Sequence, residues 1–137
     1  MITSERNRQS MKNLVPLIGR ILIASIFLIA GVEKIMHPAQ TQQYMASHGM
    51  PLVRLMLIGA IIVELGGGLS VLLGFKARWG AAALALFLVP TTLIFHTQFP
   101  DQQINFMKNL AIIGGLLMMS HFGPGPASLD ERAKEAA

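Results

Sequence analysis

The sequence predicts an all-α protein, a transmembrane antiparallel four-helix bundle, and three observations carry that expectation. Hydrophobic residues make up 53% of the chain and charged residues only 13%, where a soluble domain carries about a quarter. Mean hydropathy is +0.54. The apolar residues are gathered into segments of membrane-spanning length, about 20 residues for a hydrocarbon core of about 30 Å. The connections between them are short, so consecutive spans return through the bilayer as antiparallel neighbours.

The whole chain, 1–137, reads as one domain. Residues 1–12 are a polar, mobile lead-in. Span 1 follows at about 14–36, "LVPLIGRILIASIFLIAGVEKIM", interrupted by Arg20 and closed by Glu33 and Lys34. In the connection from His37 to Pro51, Pro38 suits a first helical turn and Gly49 a helix end. A short interfacial helix near Ala39 to Ser47 is expected there. Span 2, about 52–74, carries Arg54 near its start and Glu64 inside. Span 3, about 79–97, is uncharged from Trp79 to Phe95, with Pro90 loosening it beside Thr91 and Thr92, whose hydroxyls are available to freed carbonyls. Span 4, about 104–122, includes Asn105, Lys108 and Asn109 in its first turns. Its unbroken apolar stretch, Leu110 to Phe122, is short for a span, so a re-entrant segment is the alternative. In the tail, 123–137, Ser128 and Glu131 have capping-box spacing before a short surface helix.

A net charge of +4 and a pI near 10.0 raise the question of nucleic acid, but the basic residues flank apolar segments instead of forming a patch. Arg6, Arg8 and Lys12 precede span 1, and Lys76 and Arg78 fill the turn between spans 2 and 3. A bilayer, not nucleic acid, is the expected partner. Positive-inside counting puts both termini in the cytoplasm. A basic start before an apolar run also resembles a signal peptide, but no cleavage pattern follows it and span 1 reads as retained. The chain has no cysteine, which excludes thiol exchange, thiolate metal sites and iron–sulfur ligation by its own residues.

Inside a bilayer, helices approach through small residues, since apolar burial no longer drives them together. Gly59, Val63 and Gly67 share one face of span 2, Gly66, Ser70 and Gly74 share another, and Ala111 and Gly115 repeat the spacing on span 4. These are expected to be packing grooves around Glu64, with a local kink as the alternative. Glu64 near mid-membrane needs a partner or a watered cavity. By depth Arg20 is its nearest candidate, about 6 Å off at 1.5 Å per residue. A structural Arg20–Glu64 ion pair, a proton or ligand site, and an unpaired protonated Glu64 all stand as readings.

A second polar group gathers at the outer end: Glu33, Lys34, His37, His96, Lys108 and Asn109. Such a layer suits an anionic or quinone-like head group, and ordinary interfacial anchoring is the plain alternative. The spacing of His37, His48 and His96 fits no metal-ligand motif, so no metal is expected.

The pieces "GRILIASIFLIAGVEKI", "TQQYMASHGMP", "VELGGGLSVLLGFKAR", "FHTQF", "MKNLAIIGGLL" and "GPGPASLD", in order from Gly19 to Asp130, together resemble the DoxX family of small four-span bacterial inner-membrane proteins. The resemblance covers most of the chain, and Glu33 stands where the family's usual turn differs. It implies a four-helix membrane protein in the bacterial inner membrane with a loose tie to redox work, since the family takes its name from a subunit of thiosulfate:quinone oxidoreductase. Its matched polar positions are Arg20, Lys34, Glu64, Arg78, His96, Lys108 and Asn109.

The functional expectation is a membrane subunit or accessory of a redox system. Lys34, His96 and Lys108, with Asn109 beside them, hold a quinone or similar small molecule, and Glu64 with Arg20 handles charge or protons below. No heme, flavin or metal signature is evident in the sequence, so electrons would come from a redox partner protein. A non-autonomous oxidoreductase subunit is the enzyme class left open. A small permease lined by the same residues and a membrane scaffold are the rivals, and a homo-oligomer is compatible with all three.

Overall fold

The computed structural model describes residues 1–137 as six helices with no strand. They are α1 (Ile2–Met36), α2 (Pro38–Ser47), α3 (Val53–Leu73), α4 (Ala77–Phe95), α5 (Gln103–Phe122) and α6 (Leu129–Ala136). By length and composition α1, α3 and α4 are able to cross a membrane. Helix α5 has 20 residues, about 30 Å at 1.5 Å per residue, but Asn105, Lys108 and Asn109 make its opening turns too polar for it to stand beside them on composition.

The expected lead-in is not a separate mobile segment. Residues 2–13 continue α1 as helix, and nearly all of them are exposed. The chain there alternates good helix formers and has no glycine, so the apolar helix already nucleated behind it propagates forward at little cost. The short helix in the first connection forms as expected, with Pro38 at its start.

Helix α1 packs along α3, α3 along α4, and α4 along α5. Helix α5 returns toward α1 where Gly115 comes up against Ile23. The core is a column of alanines, leucines, a valine and a phenylalanine: Ala24, Phe27, Val71, Ala81, Leu84, Ala85, Leu88 and Leu116. Most outward positions on the long helices are large apolar residues such as Leu22, Ile26, Ile62 and Leu86. Apolar side chains thus face outward as well as inward, which a lipid solvent permits.

Helix α3 runs unbroken through the triplet Gly66–Gly68, and the three glycines have different jobs. A Cβ on Gly67 would lie 2.7 Å from Leu84 Cγ of α4, and one on Gly68 would lie 2.9 Å from Leu28 Cδ2 of α1. One α3 backbone thus touches both neighbours at adjacent positions. Gly66 and Gly59 meet nothing within 4 Å, so the expected grooves through those residues are not inside this chain's packing. Gly66→Ala is therefore expected to leave stability unchanged or raise it by up to about 1 kcal/mol. Gly67→Ala is expected to cost about 1–3 kcal/mol by overpacking against a fully buried branched carbon. Thermal unfolding of both variants in detergent checks the contrast.

Pro90 sits inside α4 without ending it. The neighbouring hydroxyls bond elsewhere than expected: Thr91 Oγ1 donates to the Phe87 carbonyl at 2.8 Å and Thr92 Oγ1 to that of Leu88 at 2.6 Å. The carbonyl that proline leaves without its amide partner is that of Leu86, four residues back.

At the end of the molecule that carries both termini, the tail is tied down. Helix α3 stops at Gly74, whose φ of 67° is left-handed. The Phe75 N–H donates to the Ser70 carbonyl and the Gly74 N–H to that of Val71, the paired bonds of a Schellman ending. The Gly74 carbonyl then accepts the Asp130 N–H at 2.9 Å. The Asp130 carboxylate accepts the Lys76 N–H at 2.7 Å and the Ala77 N–H at 2.9 Å. Asp130 thus supplies negative charge to the otherwise unbonded amides at the start of α4. Ser128 accepts the Glu131 N–H at 3.2 Å and starts α6, as the capping-box spacing implies.

Candidate functional site

A cavity of about 640 Å³ lies in the half of the bundle away from the termini, within the range of small-molecule sites. Its walls come from the last turns of α1, one side of α2, the first half of α3 and the second half of α4. Helix α2 forms a wall because the chain turns at His37 and Gly49, folding Tyr44 and Met45 back over the helix ends. Tyr44 stacks on Phe95 with ring centroids 5.2 Å apart, and His48 sits edge-on to Phe95 at 4.9 Å. This aromatic group fastens α2 to the end of α4. The lining is mostly apolar and includes Met56 and Phe87.

Glu64 and Lys34 are the charged groups deepest in this cavity wall. Lys34 Nζ donates to Glu64 Oε1 at 3.0 Å, and Glu64 is only 5% exposed. Glu64 Oε2 is buried and receives no hydrogen bond from the protein. Of the three donors of the lysine ammonium, one is taken by Glu64. Lys34 lies one turn beyond Gly31, where α1 touches α3 at Leu65 and Glu64. Its flexible stem carries the ammonium back to the carboxylate.

The expected Arg20–Glu64 pair does not form. Arg20 donates to the Pro124 carbonyl at 3.4 Å and the Ala127 carbonyl at 2.7 Å, and it crowds Gly74 at the far end of α3. Gly31, not a residue near Arg20, is level with Glu64, and the offset from Arg20 to Gly31 is about 16 Å along the helix at 1.5 Å per residue. Arg20 is level with the end of α3 at Gly74, about ten residues from Glu64, because α1 extends as helix well beyond its apolar stretch.

His96 also lines the cavity, with Nδ1 2.9 Å from Gln102 Oε1. A carbonyl oxygen only accepts, so this contact requires the proton on Nδ1. Lys108 and Asn109 are not part of the cavity. Lys108 is exposed on α5, and Asn109 Nδ2 donates to Thr92 Oγ1 at 3.0 Å. Helix α5 packs on α4, whereas the cavity lies among α1, α2, α3 and α4, so shared depth did not bring these two residues to it. Arg78 belongs to the opposite end, donating from Nη1 to the His121 carbonyl at 2.7 Å. Of the predicted residues, Lys34, Glu64 and His96 share one cavity, and Glu33 and His37 of the outer polar group also stand in its wall. Tyr44, Thr91 and Phe95 in its wall, and Asp130 in the tail, were not singled out in the sequence as site or anchoring residues.

Three comparisons bear on identity. The family model described as DoxX matches residues 15–97. The inner membrane protein YqjF of Escherichia coli is 43% identical over 116 residues, 83% of this chain and 88% of that protein. The inner membrane protein YphA of the same organism is 37% identical over 123 residues, 85% of this chain and 88% of that protein. A Surfeit locus protein 4 homolog of Drosophila melanogaster is 29% identical over 133 residues, 90% of this chain but 43% of that longer protein. No solved structure matches the chain. With a family model over more than half its length, two relatives matched over most of theirs, and apolar helices of spanning length, the chain is an integral membrane protein and belongs to the DoxX family.

Proposed function

We propose that the protein is a bacterial inner-membrane subunit or accessory of a redox system that holds a quinone or similar lipophilic ring compound in the cavity beside α2. The observation that carries this reading is a mostly apolar cavity of about 640 Å³ with a lysine–carboxylate pair in its wall. Aromatic and methionine side chains suit a flat, polarisable ring. Lys34 offers donors to a ring oxygen, and His96 stands at the outer part of the wall. Electrons would pass through a partner protein. All of the lining lies between Glu64 and the end away from the termini, which favours a blind binding site over a permeation path.

In this reading α5 crosses the bilayer as a fourth span, with Lys108 extending its ammonium to the outer interface. Both termini face the cytoplasm, because Arg6, Arg8, Lys12, Lys76 and Arg78 lie at that end. The cavity then opens toward the periplasmic side.

The test is solvent extraction of protein purified in mild detergent, followed by chromatography for isoprenoid quinones. Wild-type protein is expected to carry quinone, and Ala30→Phe, which fills the cavity without altering a charge, to lose at least about 90% of it, the tenfold change that about 1.4 kcal/mol produces. Equal quinone in wild type and Ala30→Phe would defeat the assignment of the ligand to this cavity. Reporter fusions at each terminus test the orientation.

A further inference from the structure

The polar groups in the cavity wall are specific about what they lack. Lys34 and Glu64 neutralise each other at 3.0 Å, so the pair has no net charge to offer a ligand. An incoming carboxylate would leave a net negative charge in an apolar space, and an incoming amine a net positive one, each expensive in a medium this poor in water. The pair still has hydrogen-bonding capacity of both kinds. The Lys34 ammonium has donors beyond the one given to Glu64. Glu64 Oε2, on a residue 95% removed from solvent, lacks a donor. A buried acceptor without a donor costs about 1–3 kcal/mol, and a ligand that supplies one recovers part of that cost.

A ketone or ether oxygen satisfies only the lysine. A hydroxyl satisfies both members, accepting from Nζ while donating to the carboxylate, which turns to present an oxygen to the cavity. The cavity walls, which include Tyr44, Phe87 and Phe95 with Met45 and Met56, match an aromatic ring attached to that hydroxyl. We infer that the cavity selects an uncharged, hydroxyl-bearing aromatic amphiphile whose hydroxyl rests on the Lys34–Glu64 pair. This rests on the proposed cavity function and sharpens it: of a quinone and its hydroquinone, the hydroquinone is the preferred ligand.

The test uses the full chain in phosphatidylcholine nanodiscs, with protein-free nanodiscs as the blank for partitioning. Three probes share one tail: para-heptylphenol, its methyl ether para-heptylanisole, and para-heptylbenzoate. Equilibrium dialysis is expected to show the phenol bound about tenfold more tightly than the ether, the effect of one well-made hydrogen bond to a charged group. The benzoate is expected to bind more weakly than the phenol. In Glu64→Gln the phenol's advantage over the ether should shrink to within about twofold. The benzoate should gain there, because Lys34 then has an uncompensated charge. The wild-type comparison stands even if that variant does not fold. Equal binding of phenol and ether to wild type, with both lost in Ala30→Phe, overturns the hydroxyl selection and leaves the cavity function intact. Absence of binding by all three probes overturns the inference, while quinone retained on extraction would still support the broader reading.

Discussion

Lys34→Met is expected to destabilise the protein by about 3–5 kcal/mol, the cost of leaving one member of a buried pair uncompensated. Glu64 is 5% exposed and already has one oxygen without a donor. Removing the ammonium that lies 3.0 Å from its other oxygen leaves the carboxylate with no partner in an apolar column. The double variant Lys34→Met with Glu64→Leu is expected to recover most of the loss, because a volume-matched apolar pair removes the desolvation cost together with the attraction. The two single variants and the double one, compared by thermal unfolding in detergent, form a cycle with strong non-additivity. Additive effects would show that Glu64 and Lys34 are independent, and the account of the cavity wall would fail with them.

Arg20→Met is expected to cost about 3 kcal/mol, from two hydrogen bonds given by a charged group at about 1.5–3 kcal/mol each, offset in part by relief of a buried charge. Its effect is also local. Arg20 is 3% exposed and bonds to the carbonyls of Pro124 and Ala127, so it fastens the segment that follows α5. Without it, trypsin is expected to cut at Arg132 and Lys134 much faster than in wild type, since those bonds become accessible by local opening of the tail. Arg20→Lys is not expected to restore protection, because one ammonium does not reproduce a planar fork reaching two carbonyls. Arg6→Met, on the exposed start of α1, serves as the control. A tail equally resistant in Arg20→Met would show that Asp130 and its bonds to the Gly74 carbonyl and the Lys76 and Ala77 amides hold the segment alone.

The two cases also mark how far the residues could be read in one dimension. Glu64 stands out in sequence as an ionisable group in an apolar run, and the need for a partner follows from the cost of charge in hydrocarbon. Which cation answers it does not follow. Arg20 and Lys34 lie on the same helix at opposite distances from Glu64, and only the contact of Gly31 with Leu65 and Glu64 fixes the choice. Lys108 shares with Lys34 and His96 only a membrane depth expected from sequence. Depth is one coordinate, and the direction around the bundle depends on which helices α5 packs against. The triplet Gly66–Gly68 was legible as a place of close approach, but not which glycine serves which neighbour.

The order of residues by itself determined the solvent, the helices and, apart from the start of α1, their approximate ends, because hydrophobic length, proline and glycine punctuation and capping side chains act within one or two helical turns. Only the tertiary structure decided the axial register of α1 against α3, the folding of α2 over one end and of the tail over the other. It thereby decided which charges meet. Those outcomes depend on packing between segments far apart in the chain, where contacts of a few ångströms select among pairings that composition leaves equivalent.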